Sequence, residues 1–250
     1  MGGTLARYSA EGVRTVVVMC TTGDLGAAAN VRDAELRAAC AVLGVSRVVQ
    51  LGYADSGMPG DPLNHRPGAF WSADVSEAAE QLRGVIEEEQ PQVIVTYDAT
   101  GGYGHPDHVK AHLVTLEVAR RIPPQRLFFV RFPLTWSRAF VKELRTRGIS
   151  APGSAPTGAD AGPDVYEIGV SDALVTTRVN VEEFLEVKRA ALACYASQLP
   201  PDHFLSRMPE DLARRLWGQE FYSLETVRDV SAAPTQDLFA GLSVRAADAV

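Results

Sequence analysis

The chain has 250 residues, 46% hydrophobic and 22% charged, with Lys+Arg 24 against Asp+Glu 31 for a net charge of −7. This is ordinary globular material, long enough for one large core, and it lacks the basic stripe that a phosphate backbone would need, so no nucleic-acid partner is expected. Runs such as TVVVMC and VIVTY fall far short of the roughly 20 apolar residues of a membrane helix, and no leader-like segment opens the chain; a cytoplasmic protein without membrane contact is expected.

In chain order, TLARYSAEG reads as a short helix closed by Gly12, and VRTVVVMC as a strand apolar on both faces, the mark of a buried parallel strand. VRDAELRAACAVLG then predicts a helix ending at Gly44, and SRVVQLGY a second strand. After the Pro/Gly-rich loop SGMPGDPLNHRPGAFW comes an amphipathic helix, SADVSEAAEQLRGVIEEEQ, with Ser72 as its N-cap, and then the strand PQVIVTYD. PDHVKAHLVTLEVARRI is the next helix and QRLFFVRF the next strand. Such alternation argues for an α/β fold with an open, Rossmann-like, doubly wound, mostly parallel sheet, carried by a single domain over 1–250.

The second half is less regular. Residues 148–164, GISAPGSAPTGADAGPD, are low-complexity and read as a mobile surface loop. DVYEIGV and TTRVNVEEF look like strands, and VEEFLEVKRAALACYASQ like a helix. From about 229 to 250 periodicity fades and a weakly ordered tail is expected. Cys20, Cys40 and Cys194 are odd in number, widely spaced and in apolar surroundings, which predicts free thiols. There is no internal repeat.

Ligands of open parallel sheets bind beyond the carboxyl ends of the strands. Three strands end there in glycine-rich, polar turns: TTGDLG, GYADSG and YDATGGYGHPDH. The third runs on into GGYGHPDHVKAH, residues 101–112, which holds three of the five histidines within eight positions. Pro106 suits the first helical position, placing His105 at the helix mouth, with Asp107 and His108 in the first turn. His108 and His112 lie four apart on one face. They do not form the His-Glu-x-x-His zinc motif, because position 109 is Val. A hydrolytic zinc wants three protein ligands and one open position, and this loop offers one good ligand and two supporting groups. His65 and His203, in Pro-rich loops, read as surface residues.

YDATGGYGHPDH, with LGYADSGM and VRDAEL upstream and KRAALACYASQ near the end, resembles the LmbE-like (PIG-L) amidohydrolases, in particular their mycothiol-pathway members; the likeness runs over about residues 2–225. The resemblance implies a zinc-dependent N-deacetylase or amidase acting on a small acylated amino sugar, an N-acylglucosamine conjugate; another divalent metal in place of zinc, and assembly as a homo-oligomer, are left open. On it, His108 matches a zinc ligand. His105 matches the histidine that stabilises the tetrahedral intermediate and helps protonate the leaving amine. Asp107 matches the carboxylate that orients that histidine, and Tyr103 the tyrosine that polarises the acyl oxygen. Arg32 and Asp55 fall on positions that hold the sugar and its attached group.

The residues alone leave alternatives: Tyr103 as a packed loop aromatic, Arg32 as a solvated charge or an ion pair with Glu35, and Asp55 as a turn-shaping residue. The family also opens with a strand ending His-Pro-Asp-Asp, which supplies two zinc ligands and the general base. Here the only His-Pro-Asp is at 105–107. The expectation is that a first central strand and the other half of the metal site lie upstream of Met1, through a late start, a truncation, or descent as a metal-poor relative. Two rival readings stand beside the deacetylase. One is a non-catalytic sugar-binding relative; the other, a nucleotide-binding doubly wound protein, is disfavoured because no Gly-x-Gly-x-x-Gly turn or P-loop follows a strand.

Overall fold

The structure, a computed structural model, describes residues 1–149, 169–201, 203–225 and 235–242. β1 (Val16–Thr21) pairs in parallel with β2 (Arg47–Tyr53), and β3 (Val93–Thr96) in parallel with β4 (Arg126–Arg131). β6 (Gln219–Glu225) runs antiparallel between β4 and β5 (Thr177–Asn180), giving the order β3-β4-β6-β5. The Rossmann-like α/β expectation is met in the parallel pairs, whereas the C-terminal strands are antiparallel.

Among the described residues, β1 and β3 share no ladder, and the sheet falls into two blocks. This explains a difference from the sequence reading. β1 is apolar on both faces, yet all six of its residues are only half-buried, because one of its edges has no strand against it.

The blocks are bridged by helices. α3 (Val75–Glu89) and α5 (Pro106–Arg121) pack together, and Val114 and Val118 of α5 join Ala78, Ala79, Leu82 and Ile86 of α3 in one core cluster. Val18 and Cys20 of β1 and Ile94 of β3 pack against that same cluster, so α5 is the element both blocks share. The N-cap of α3 is Asp74, not Ser72. Asp74 immediately precedes the first helical residue, and its carboxylate accepts the Ser76 and Glu77 amides at 2.8 and 3.1 Å; Ser72 lies too far upstream and donates to the Asn64 carbonyl.

On the other side, α1 (Gly2–Ala10) and α2 (Ala29–Val42) pack with α7 (Leu185–Ala193), Ala6, Ala39, Leu43 and Ala191 forming their core. α6 itself (Leu134–Thr146) and α8 (Glu210–Trp217) meet through Leu144, Leu212 and Leu216. α6, α8 and β6 have no counterpart in the sequence reading. The stretch read as a mobile loop at 148–164 lies outside the described residues beyond Ile149. So does the strand read over 164–170, except at Gly169 and Val170, and the tail at 229–250 is described only at 235–242. All three cysteines are free, Cys40 buried and the other two half-buried. No helix among the described residues is long and apolar enough to cross a membrane.

Candidate active site

The glycine turn after β3 is built to bring one aromatic side chain over the start of α5. Asp98 leads into the one-turn segment α4 (Gly101–Gly104), which is broken by non-helical dihedrals at Gly102 and Tyr103. Gly101 has φ +65°, and a Cβ there would stand 2.9 Å from both the His108 Cβ and the Val109 amide nitrogen. Only glycine lets the turn close this tightly onto α5. Tyr103, flanked by glycines, is half exposed at 50%.

His105 is the N-cap of α5. Its Nδ1 accepts the Asp107 amide at 3.2 Å, so a neutral ring carries its hydrogen on Nε2. His108 is the converse. Its Nδ1 lies 3.0 Å from the Gly101 carbonyl, which can only accept, so Nδ1 carries the hydrogen and Nε2 presents a lone pair. Burial drives the His108 pKa down to about 4, which keeps the ring neutral near pH 7. Tyr97 stacks on it with ring centroids 3.9 Å apart and planes at 6°. Tyr103 stands edge-on to it at 5.1 Å, and His105 lies at 4.9 Å. Burial raises the Tyr103 hydroxyl above its usual pKa, and the Asp107 charge adds to this, so the phenol stays a donor.

Asp107 ties the helix to the second loop. Its Oδ2 accepts the Ser56 amide at 3.0 Å and lies 3.9 Å from His105 Nδ1, beyond hydrogen-bond reach. Its Oδ1 is buried with no hydrogen-bond partner. Cys20, near Asp107, has its thiol pushed up to about 12, mainly by burial, which leaves it unreactive.

Arg32 and Asp55 meet the same rim through the first loop. Arg32 donates to Glu35 at 2.8 Å, its guanidinium carbon lies 5.1 Å from the Tyr195 ring centre, and its Nε is buried without a partner. Glu35 in turn accepts both the amide and the hydroxyl of Ser197 at 2.7 Å. The ion pair is therefore real, but it is half-buried and braced rather than a solvated helix charge. Asp55 accepts the Leu25 amide at 3.1 Å, while its own amide donates to Asp24 at 2.9 Å. Arg66 closes this clasp onto Asp24 at 2.6 Å and onto the Asp55 carbonyl at 2.9 Å. Asp55 thus links two loops instead of shaping its own.

The remaining histidines stand apart. His112 is buried, bonded to the Tyr97 carbonyl and edge-on to Phe129, as a core residue would be. His65 is exposed, and His203 is half-buried with its Nδ1 accepting the Leu205 amide. Sequence reasoning named Glu35 as an ion-pair partner of Arg32 and missed Tyr97, Asp24, Arg66 and Tyr195. Only Asp24, a carboxylate in a rim loop, carried a sequence signal.

The orphaned Asp107 oxygen and the free His108 Nε2 are the donors a cation would find here. They do not make the three-ligand cage of a hydrolytic zinc site, and among the described residues no group of three or more His, Cys, Asp and Glu side chains could hold a metal ion. The donor set is therefore incomplete for that metal.

The model of the family PIG-L, GlcNAc-PI de-N-acetylase, matches residues 1–119. A 1D-myo-inositol 2-acetamido-2-deoxy-alpha-D-glucopyranoside deacetylase of Acidothermus cellulolyticus is 36% identical over 97% of this chain and 90% of its own length. Among solved structures, a conserved protein of Thermus thermophilus superposes with a TM-score of 0.57 at 21% identity, covering 93% of this chain and 90% of that one. The N,N'-diacetylchitobiose deacetylase of Pyrococcus horikoshii gives 0.55 at 19%, covering 90% of this chain and 78% of that one; at such identities these two show the fold alone. By its near full-length likeness to the Acidothermus relative, and by the match of its first 119 residues, this chain belongs to the PIG-L, or GlcNAc-PI de-N-acetylase, family.

Proposed function

We propose that this chain, acting as one domain, is a hydrolase that removes an N-acetyl group from a glucosamine-type glycoconjugate. The observation that carries this reading is the convergence of Tyr103, His105 and His108 within ring contact beyond β3, one loop away from the braced Arg32 and Asp55. The name of the Acidothermus relative supports the substrate class.

Amide hydrolysis breaks the C–N bond, adds the oxygen of water to the acyl carbon, and returns a proton to the departing amine. In this reading the Tyr103 hydroxyl and the Nε2–H of His105 donate to the acyl oxygen as negative charge builds on it. The proton that the attacking water gives up is the one the departing amine takes, and neutral His105, whose one hydrogen is on Nε2, can hand a proton to the amine only after taking up that one. Asp107, fixed by Ser56, supplies the negative charge near that imidazole, and Arg32 and Asp55 hold sugar hydroxyls. Zinc is the metal this reading takes, with the His108 Nε2 as its donor from this chain. The incomplete donor set allows no step to be derived through it.

The test is acetate release from 1D-myo-inositol 2-acetamido-2-deoxy-alpha-D-glucopyranoside and from N-acetylglucosamine conjugates, with and without added zinc. Acetate formation that vanishes in Tyr103→Phe and His105→Ala is expected. Its absence from all the acetylated sugars would defeat the proposal. One observation favours a second reading: the incomplete donor set fits a sugar-binding relative without turnover, which would bind the conjugate in a calorimeter and release no acetate.

A further inference from the structure

The glycine turn is held from below by a buried ion pair that the reaction does not use. Asp98, 3% exposed, divides its two carboxylate oxygens between two tasks. Oδ1 accepts the Thr100 amide at 2.9 Å, the Thr100 hydroxyl at 2.6 Å and the Gly102 amide at 3.2 Å, so one oxygen organises the turn up to the residue before Tyr103. Oδ2 accepts the Arg131 guanidinium at 2.5 Å. Arg131 stands at the end of β4, donates its Nε to the Ser223 hydroxyl of β6 at 2.6 Å, and lies 5.4 Å from the Phe129 ring centre. The path from the interior of the sheet to the turn is therefore continuous: Ser223, Arg131, Asp98, then Thr100 and Gly102.

We propose that Asp98 and Arg131 are positioning residues of this site, a strut that fixes the Gly101–Gly104 turn and thereby sets where the Tyr103 hydroxyl stands relative to His105. Three observations carry this. Tyr103 sits among glycines at positive φ, so its own backbone offers little resistance to displacement. Tyr103 is half exposed, and its ring packs only edge-on against His105 and His108, which restrains it weakly. The Asp98 oxygen supplies the hydrogen bonds that replace both restraints. Its geometry in turn depends on the second oxygen being locked to a side chain that is itself fixed at both ends. Arginine suits this role because its planar fork can serve Asp98 and Ser223 at once.

The inference rests on the deacetylase reading for the word "site", but the strut can be tested without it. Arg131→Met, Arg131→Lys, Asp98→Ala and Ser223→Ala are made in the full chain. Circular dichroism and thermal unfolding identify which are folded. Amide hydrogen exchange at Gly102 is then read by NMR, with kcat and KM for an N-acetylglucosamine conjugate beside it.

In folded Arg131→Met the Gly102 amide should exchange at least about tenfold faster, while amides of β1 and β2 keep their rates. The kcat should fall about tenfold or more with KM changed less than about twofold, because misplaced donors cost the transition state more than substrate binding. Arg131→Lys, which keeps the charge, should recover part of both losses, and Ser223→Ala should show a smaller loss of the same kind. Unchanged Gly102 exchange in folded Arg131→Met and Asp98→Ala would overturn the strut, and so would an equal rise in exchange across the whole chain. If the wild-type chain releases no acetate, the deacetylase reading falls, and the exchange measurement still decides the strut.

Discussion

His105 holds two duties that a single substitution can separate. Its Nδ1 caps α5 and its Nε2–H faces the proposed chemistry. His105→Ala should lose both, with turnover down about a hundredfold and stability down about 1 kcal/mol. Asparagine is a good N-cap, so His105→Asn should recover the stability without the turnover. Thermal unfolding set beside single-turnover assays checks this, and a variant that regained both would remove His105 from the chemistry. His108 is separable in another way. With one free imidazole and an orphan carboxylate oxygen, the chain should bind zinc weakly in a calorimetric titration, and His108→Ala should abolish the binding. Tight stoichiometric zinc that survives His108→Ala would mean that the ligands have been misassigned. Tyr103, His105, Asp107 and His108 were legible because they are contiguous: one turn and one helix start place them whatever the rest of the fold does. Tyr97 and Arg131 were not. Their importance comes from where β3 ends relative to α5 and where β4 ends relative to β3, which only the assembled sheet decides.

The elements themselves were readable where their hydrophobic period was long. α2, α3 and α5 each run to 14 residues or more and match the sequence reading in type and place. α8 has eight residues, barely two turns, too short for a period to stand out, although Leu212, Ala213, Leu216 and Trp217 all face the core. β6 was hidden because its inward residues include Glu220. That carboxylate, buried at 7% exposure, accepts the Gly3 and Thr4 amides at 3.1 and 2.9 Å and pairs with Lys188 at 2.7 Å, so a strand residue anchors the start of α1. Burial works against its ionisation, but the neighbouring positive charges and hydrogen bonds outweigh burial and hold the carboxyl far below its ordinary 4.5. A depressed carboxylate gives stability that is present above its unfolded-state value and is lost as pH falls below about 4.5. Glu220→Gln should therefore cost about 3 kcal/mol at pH 7, by leaving Lys188 unpaired, and the wild-type advantage should shrink on acidification. Urea unfolding of both proteins at pH 7 and pH 3.5 measures it, and a gap that stayed constant with pH would show that Glu220 acts by shape alone.

At the scale of the whole molecule, the division between β1 and β3 sets the mechanics of the site. Arg32 and Asp55 belong to elements around β1 and β2, whereas Tyr103, His105 and His108 follow β3. Between the two groups run the shared packing of α5 and the bond from Asp107 to Ser56. Native-state hydrogen exchange should accordingly find the β1–β2 ladder opening at lower free energy than β3–β4–β6, and Ser56→Pro, which removes the amide that Asp107 holds, should widen that difference. Equal protection of both ladders would count against this division. On the proposed reading of the site, a compound that grips Arg32 and Asp55 with its sugar and Tyr103 and His105 with its acyl group spans the seam and works as a cross-link between the two blocks. Part of its affinity is then spent on closing them, and that part appears as heat resistance. An intact conjugate should raise the melting temperature by more than its sugar half and its acetamide half added together at equal saturation.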